Sequence, residues 1–170
     1  MNSMQWTFVR SRLFRRIELQ QLMNLTARAL GQPACRIWTM PCDRALAAYA
    51  EYTRQHLQGG PSEQLLSRMS DEAYRMGRLL RRLFCLKKKE DIGRMLVELY
   101  RHIGIRLDGQ VPGRLCFRAC YFSQYYTPAV CLAASAMDEG IMRGLSGQDG
   151  HLHFHQRITE GCNHCIAIFE

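Results

Sequence analysis

Two stretches decide the fold of this chain: residues 116–131 read C-F-R-A-C-Y-F-S-Q-Y-Y-T-P-A-V-C, and residues 151–165 read H-L-H-F-H-Q-R-I-T-E-G-C-N-H-C. From 114 to 122 the side chains alternate between two faces, which is the period-two pattern of a strand. Thr127 followed by Pro128 is typical of a helix start, with threonine as the N-cap and proline at the first helical position. The first stretch therefore predicts a strand followed by a helix.

The helix that begins there should end near Gly144 or Gly147, because glycine commonly terminates helices. Residues 151–158 alternate again and predict a second strand. A Thr-Glu-Gly sequence at 159–161 then turns the chain, and residues 165–169 predict a third strand. Together these elements predict a β-α-β-β unit with a small antiparallel sheet.

The residues before this unit predict helices instead. Apolar residues at helical spacing predict four of them, over 12–30, 42–57, 62–84 and 90–103. Asp108-Gly109 then predicts a turn before the first strand. We expect a single domain over 1–170, with a helical part at 1–104 and a site-bearing part at 105–170. Helices followed by strands in this way predict the α+β class.

The net charge of the chain, +8 over 170 residues, resides in the helical part. Its most basic segment is 62–89, a helix followed by three lysines. Such a surface can attract nucleic acid, but no reading motif and no interleaved aromatic residues accompany it, so we do not expect nucleic-acid binding. The helical part could instead cover the sheet or form a homodimer.

Hydropathy and cysteine content indicate the compartment. No apolar run reaches the roughly 18 residues that a membrane span needs, and the chain does not begin with a secretory signal pattern. We therefore expect a cytoplasmic protein without a membrane partner. In that compartment the eight cysteines are expected to be thiols or metal ligands instead of disulfides. Several could equally be small buried hydrophobes.

Four cysteines are candidate ligands for zinc or iron: Cys120, Cys131, Cys162 and Cys165. Only one C-x-x-C pair occurs, at Cys162 and Cys165, so a metal site would have to assemble from distant parts of the chain. Cys116 is excluded, because at strand rise it lies about 13 Å from Cys120. The first strand, the helix start and the last strand would each supply one thiol to a common pocket.

The same pocket could carry out catalysis. Cys131 lies in the first turn of its helix, where the positive end of the helix dipole favours a thiolate nucleophile. Asp138 follows seven residues later on the same face. His153 is the candidate base, because histidine titrates nearest neutrality. Arg157 and Thr159 would share a strand face and bind substrate. Arg157 would pair with a carboxylate group of the substrate. The candidate catalytic set is Cys120, Cys131, Asp138 and His153.

Each of these residues also has a plainer interpretation. The cysteine at 131 could be a small residue packed against the strands, and the histidines at 151–155 could form a solvated strand face. Arg157 could form a salt bridge at the rim with Asp138 or Glu160.

The pattern R-x-C-Y-F at 118–122 and the pattern F-x-x-R-I-T-x-G-x-x-x-C at 154–165 resemble the L-2-amino-thiazoline-4-carboxylate hydrolase-like family. A looser similarity exists to 4-vinyl reductase-type ligand-binding domains. The resemblance covers residues 114–170. Its matching positions are Cys120, Arg157, Thr159, Gly161 and Cys165, with Cys131 matching only by order. The family more often has an aspartate three residues after that cysteine, whereas Asp138 is seven residues after it.

Two functions follow from these observations. The first, which the resemblance implies, is hydrolysis of a C–N bond in a cyclic amidine or thiazoline-type acid by a cysteine-lined pocket. The second is a non-catalytic metal- or small-ligand-binding module that uses the same cysteines and histidines.

Overall fold

The computed structural model describes residues 1–109 and 112–170. Five helices precede the sheet: α1 (Ser3–Val9), α2 (Arg12–Leu30), α3 (Cys42–Leu57), α4 (Glu63–Leu83) and α5 (Lys89–His102). The four predicted helices are confirmed to within one residue at each end. Helix α1 was not predicted, because it is too short to show a periodic apolar face. A capping box formed by Asn2 and Gln5 caps its N-terminus. No helix of the described residues has both the length and the apolar composition to cross a membrane.

The second half is an antiparallel sheet with one helix. Its strands are β1 (Ile105–Gly109), β2 (Gly113–Cys120), β3 (Leu152–Gln156) and β4 (Cys165–Phe169), in the order β1-β2-β4-β3. Helix α6 (Pro128–Ser146) leads from β2 to β3. Its N-cap is Thr127, whose hydroxyl accepts a hydrogen bond from the Val130 N–H at 3.3 Å, and it ends at Gly147. The α+β class, with a helical region packed on a small antiparallel sheet, is confirmed.

Strand β1 takes the place of the turn predicted at Asp108 and Gly109. It pairs with β2 so that Asp108 lies opposite Cys116, and it buries Ile105 and Leu107 in the core. An Asp-Gly pair is a strong local turn signal, but pairing with a neighbouring strand and burial outweigh it here. The unit is therefore β-β-α-β-β.

Strand β2 ends two residues earlier than its alternation predicts. After Cys120 the chain forms a 3-10 turn over Tyr121–Gln124, and this turn buries Phe122 in the core. Cys120 is consequently the last residue of the strand, at the point where the sheet meets the helices.

Strand β3 also ends early, at Gln156. Arg157 is extended, and a second 3-10 turn covers Ile158–Glu160. Because Thr159 lies inside this turn, the strand face predicted to be shared by Arg157 and Thr159 does not form.

Helices α4 and α6 pack with their backbones in direct contact. A methyl group on Gly140 would collide with the Ser70 carbonyl oxygen, and one on Gly144 would collide with the α4 backbone one turn further on. On the α4 side, a methyl group on Gly77 would lie 2.7 Å from the Ile141 carbonyl oxygen. Any larger residue at these positions would force the helices apart.

Alanine at Gly144 should destabilise the protein, although alanine is the better helix former. The added methyl group meets the α4 backbone, and overpacking of this kind costs about 1–3 kcal/mol. The matched control is Gly93→Ala in α5, where nothing lies within 4 Å of the new methyl group. That change should stabilise the protein by up to about 1 kcal/mol through helix propensity. Urea unfolding measures both effects, and a Gly144→Ala protein as stable as the wild type would contradict the close contact.

Candidate active site

A narrow, mostly apolar cavity of about 100 Å³ lies where the N-terminal helices meet α6 and the ends of β1 and β2. Its size approaches that of an engineered cavity of about 150 Å³ that binds benzene. Most of the lining is aliphatic or aromatic. The lining residues that carry a polar or ionisable group are Glu18, Tyr49, Tyr100, Cys120, Tyr126, Cys131 and Asp138.

Helix α6 supplies one wall of the cavity. Cys131, Ala134, Asp138 and Ile141 line it from a single helix face. Cys131 lies in the first turn, where its N–H donates to the Thr127 carbonyl oxygen at 2.9 Å. The structure thus places Cys131 and Asp138 on the same wall, roughly 10 Å apart along the helix axis.

Asp138 is held at this wall by a tyrosine from α5. The Tyr100 hydroxyl donates a hydrogen bond to Asp138 Oδ1 at 2.7 Å. Burial raises the pKa of Asp138 from 3.8 to about 6, although the hydrogen bond and the Arg157 charge act to lower it. Burial also raises the pKa of Tyr100 well above its ordinary value. The pair therefore combines a carboxyl that titrates close to neutrality with a phenol that stays protonated.

Arg157 is a buried cation beside Cys131. Only 8% of its surface is exposed, and its guanidinium carbon lies 4.0 Å from the centre of the Phe154 ring. Its Nη1 donates to the Ser135 hydroxyl and lies 3.8 Å from Cys131 Sγ. Its Nε lies 3.8 Å from the Glu160 carboxylate. The rim salt bridge to Glu160 is therefore present, and the same guanidinium also reaches the thiol of α6.

Cys120 and Cys165 approach Cys131 from the sheet. Burial is the main cause that raises the pKa of both thiols, and each lies close enough to Cys131 for a charge there to raise it further. The pKa of Cys120 rises to about 12. Cys165 Sγ accepts a hydrogen bond from the Ile158 N–H at 3.2 Å. Three elements thus each bring one thiol to this region, and Cys120 is neutral at physiological pH.

The predicted metal ligands do not form an ion-binding group. Among the residues that the structure describes, no three histidine, cysteine, aspartate or glutamate side chains are arranged to hold a metal ion. The set predicted for zinc or iron was Cys120, Cys131, Cys162 and Cys165. Cys162 is partly exposed after the second 3-10 turn, where its N–H donates to the Arg157 carbonyl oxygen at 3.3 Å.

Besides Cys162, the predicted site residues His153, Arg157, Thr159 and Cys165 do not line the cavity, and Arg157 lies with Ser135 at a separate shallow surface pocket. His153 is exposed on the face of β3 opposite Phe154, with its ring 6.2 Å from that of His151. His153 therefore lies on a solvated strand face, which is the plainer of the two interpretations of the histidines at 151–155. Thr159 Oγ1 is buried and has no hydrogen-bond partner within the described part of the chain. It is an unsatisfied polar group two residues from Arg157.

A second acid–base pair borders the cavity and is missed by the sequence analysis. Glu18 Oε2 and His102 Nδ1 are 2.6 Å apart, and both side chains are almost fully buried. Burial raises the pKa of Glu18 to about 7, against the lowering effect of His102. The only sequence signal for Glu18 is a charge within the apolar stripe of a predicted helix. Tyr100 gives no signal at all, because a tyrosine in such a stripe is usually part of the core.

In comparisons with known proteins, no family model, curated protein or solved structure matches the chain.

Replacing Asp138 with asparagine should change how stability depends on pH. The folded pKa of Asp138, about 6, lies above its usual 3.8, so the folded protein keeps a proton that the unfolded chain releases. The free energy of unfolding should therefore fall as pH rises through this window, by at most about 3 kcal/mol from this group. Asp138→Asn should lack that fall.

Urea unfolding between pH 4 and pH 7, followed by tryptophan fluorescence, measures this difference. Asp149→Asn is the matched control, because the Asp149 side chain is 98% exposed. It should follow the wild type within about 0.5 kcal/mol at each pH. Parallel curves for the wild type and Asp138→Asn would contradict the burial of this carboxyl.

Proposed function

We propose that the chain is a hydrolase that uses Cys131 to cleave a C–N bond in a small cyclic amidine or thiazoline-type acid. The observation that carries the proposal is the position of Cys131. It lines the cavity, lies in the first turn of α6 and is 3.8 Å from the Arg157 guanidinium. A cation and the positive end of a helix both stabilise a thiolate. The sequence resemblance supplies the substrate class.

The neighbouring thiols have a different role. Burial raises the pKa of Cys120 to about 12 and also raises that of Cys165. A neutral thiol is a weak nucleophile. In this proposal Cys120 forms part of the cavity wall with Cys131, whereas Cys165 does not line the cavity and accepts the hydrogen bond of Ile158, next to Arg157.

Asp138 acts as the acid and then as the base, in the role that the sequence analysis gave to His153. The Cys131 thiolate adds to the amidine carbon. As the C–N bond breaks, Asp138 protonates the leaving nitrogen through bridging water, because the two side chains lie roughly 10 Å apart along the helix axis. Water then attacks the sulfur-bound intermediate, its proton passes to Asp138, and the thiolate is released. One water molecule is consumed and both groups return to their starting state. A carboxyl with a pKa of about 6 suits both steps near neutral pH.

In this proposal Arg157 and Thr159, which lie outside the cavity lining, hold the carboxylate of a substrate that extends from the cavity past Cys131. The contacts of Arg157 with Ser135, Cys131 and Glu160 use its Nη1 and Nε atoms. A guanidinium carries five N–H donors, so the donors on Nη2 are available to a carboxylate. The unpartnered hydroxyl of Thr159 supplies a further donor from the adjacent turn.

The second candidate is a non-catalytic module that binds a small apolar ligand in the same cavity. Its support is the neutral character of much of the wall, where burial keeps Cys120, Tyr49 and Tyr100 protonated. Binding without reaction needs no thiolate and no proton transfer.

We extend the proposal to a cytoplasmic location and to a homodimer formed through the helical part. All eight cysteines are free thiols, the state that the cytoplasm maintains. Leu79 and Leu83 expose 56% and 63% of their surface on one face of α4. Such an apolar patch is typical of a protein interface.

Cys131→Ser should lower the hydrolysis of 2-amino-thiazoline carboxylates by about 1,000-fold or more, because it removes the nucleophile. Steady-state assays of product release measure the loss. Cys116→Ser is the matched control: Cys116 lies on β2 between the buried Leu115 and Phe117 and points to the other face. It should keep activity within about twofold.

Two outcomes would decide against this mechanism. Undiminished turnover in Cys131→Ser would exclude Cys131 as the nucleophile. A wild-type protein that is thermally stabilised by these acids but releases no product would favour the non-catalytic module.

A further inference from the structure

A second groove, of about 590 Å³, lies between the C-terminal ends of α4 and α6 and shares no lining residue with the cavity. Its cationic side chains are Arg78, Arg81, Arg82 and Lys87. Gly144 and Gly147 also line it on the α6 side, where the α4 backbone and the Arg81 side chain pack directly against them. Four positive charges around one concave surface create a strong positive potential.

Acidic residues do not neutralise this groove. Its lining within the described part of the chain includes no aspartate or glutamate. Glu72 of α4 is engaged on an earlier turn by Arg28 at 2.7 Å and Arg75 at 2.6 Å. Asp149, which follows α6, pairs with Arg143 at 3.5 Å. These two carboxylates are therefore paired with cations that do not line the groove.

Two of the guanidinium groups are held in position by the fold. Arg81 Nε donates to the Leu86 carbonyl oxygen at 3.4 Å, and Arg81 Nη1 lies against Gly147, where a methyl group would overlap it. The guanidinium carbon of Arg78 lies 5.7 Å from the centre of the Tyr74 ring. Side chains that are ordered in advance lose less entropy when a ligand binds.

The turn after α4 brings the lysine to the same groove. The Leu86 N–H donates to the Arg81 carbonyl oxygen at 2.9 Å, and the Cys85 N–H donates to that of Arg82 at 3.2 Å. This is the hydrogen-bond pattern of a Schellman motif, with Cys85 in the left-handed conformation (φ 51) that glycine usually takes. The turn buries Leu86, and the next residue, Lys87, then lies at the edge of the groove.

Compensation of the α4 dipole explains only part of this charge. The C-terminal end of a helix carries an effective charge of about −0.5, and its influence is confined to the last turn. Arg81 and Arg82 lie in that last turn. Arg78 lies about one turn earlier and Lys87 lies beyond the helix, so the helix dipole does not account for these two cations.

We propose that this groove binds the diphosphate group of a small molecule. Guanidinium groups match phosphate oxygens in a two-pronged geometry. A diphosphate spreads its negative charge over two tetrahedral groups, which suits cations placed around a groove better than a single point charge does. Single-stranded nucleic acid is disfavoured, because Tyr74 is the only aromatic residue in the described lining of the groove and two arginines, Arg78 and Arg143, already lie over its ring.

Calorimetric titration of the full chain with pyrophosphate at fixed ionic strength tests this proposal. The wild type should bind pyrophosphate at least about tenfold more tightly than sulfate, because only the former can use all four cations. Arg82→Glu and Lys87→Glu, at two exposed positions, should each weaken binding about tenfold or more. Arg68→Glu is the matched control: it makes the same charge change at an exposed position of α4 outside the groove, and binding should stay within about twofold.

Three results would overturn the proposal, given variants whose helical circular dichroism matches the wild type. They are equal weakening in Arg68→Glu, no pyrophosphate binding by the wild type at millimolar concentration, and tighter binding of a single-stranded oligonucleotide that the two groove variants abolish. ADP in place of pyrophosphate identifies the source of the group. Tighter binding of ADP supports a nucleotide diphosphate, and equal binding supports a free anion with the same chemistry.

Discussion

The backbones of α4 and α6 touch where Gly140 and Gly144 leave no side chain between them. This contact commits one face of α6 to α4 and leaves another face, with Cys131 and Asp138, to line the cavity. It also brings the C-terminal ends of the two helices together, where the basic groove lies. This one contact therefore helps to position two chemically different surfaces, the mostly apolar cavity and the basic groove.

Burial determines the protonation of several residues that line the cavity. Burial raises the pKa values of Asp138, Glu18 and Cys120, because an apolar interior disfavours their charged states. The ordinary pKa of a carboxyl is much lower than that of a thiol. The pKa values of the two carboxyls therefore rise to about 6 and about 7, whereas the Cys120 thiol, with a pKa of about 12, stays protonated. Cys131 differs from these residues in its surroundings, because the Arg157 guanidinium lies 3.8 Å from its sulfur.

The parts of this structure that depend on local interactions are those that the sequence predicts well. The helix start at Thr127 is a local hydrogen bond, and the placement of Cys131 on a helix face follows from helical periodicity alone. Failures occur where a partner outside the segment decides. The strand at Gly109 exists because β2 lies alongside, and Tyr100 becomes part of the site through a bond to another helix. For His153, alternation predicts two strand faces but cannot say which face the helices cover.

The contact between α4 and α6 also has a consequence for folding. Ser70 and Gly140, which their numbers place 70 residues apart, meet through their backbones. Contacts between such distant segments close large loops and slow folding, whereas neighbouring helices associate early. We expect α2 to α5 to assemble first and α6 to dock late, after the strand that precedes it has paired. The cavity then has no complete wall until docking, so it is the last feature of the molecule to form and the first to be lost when α6 detaches.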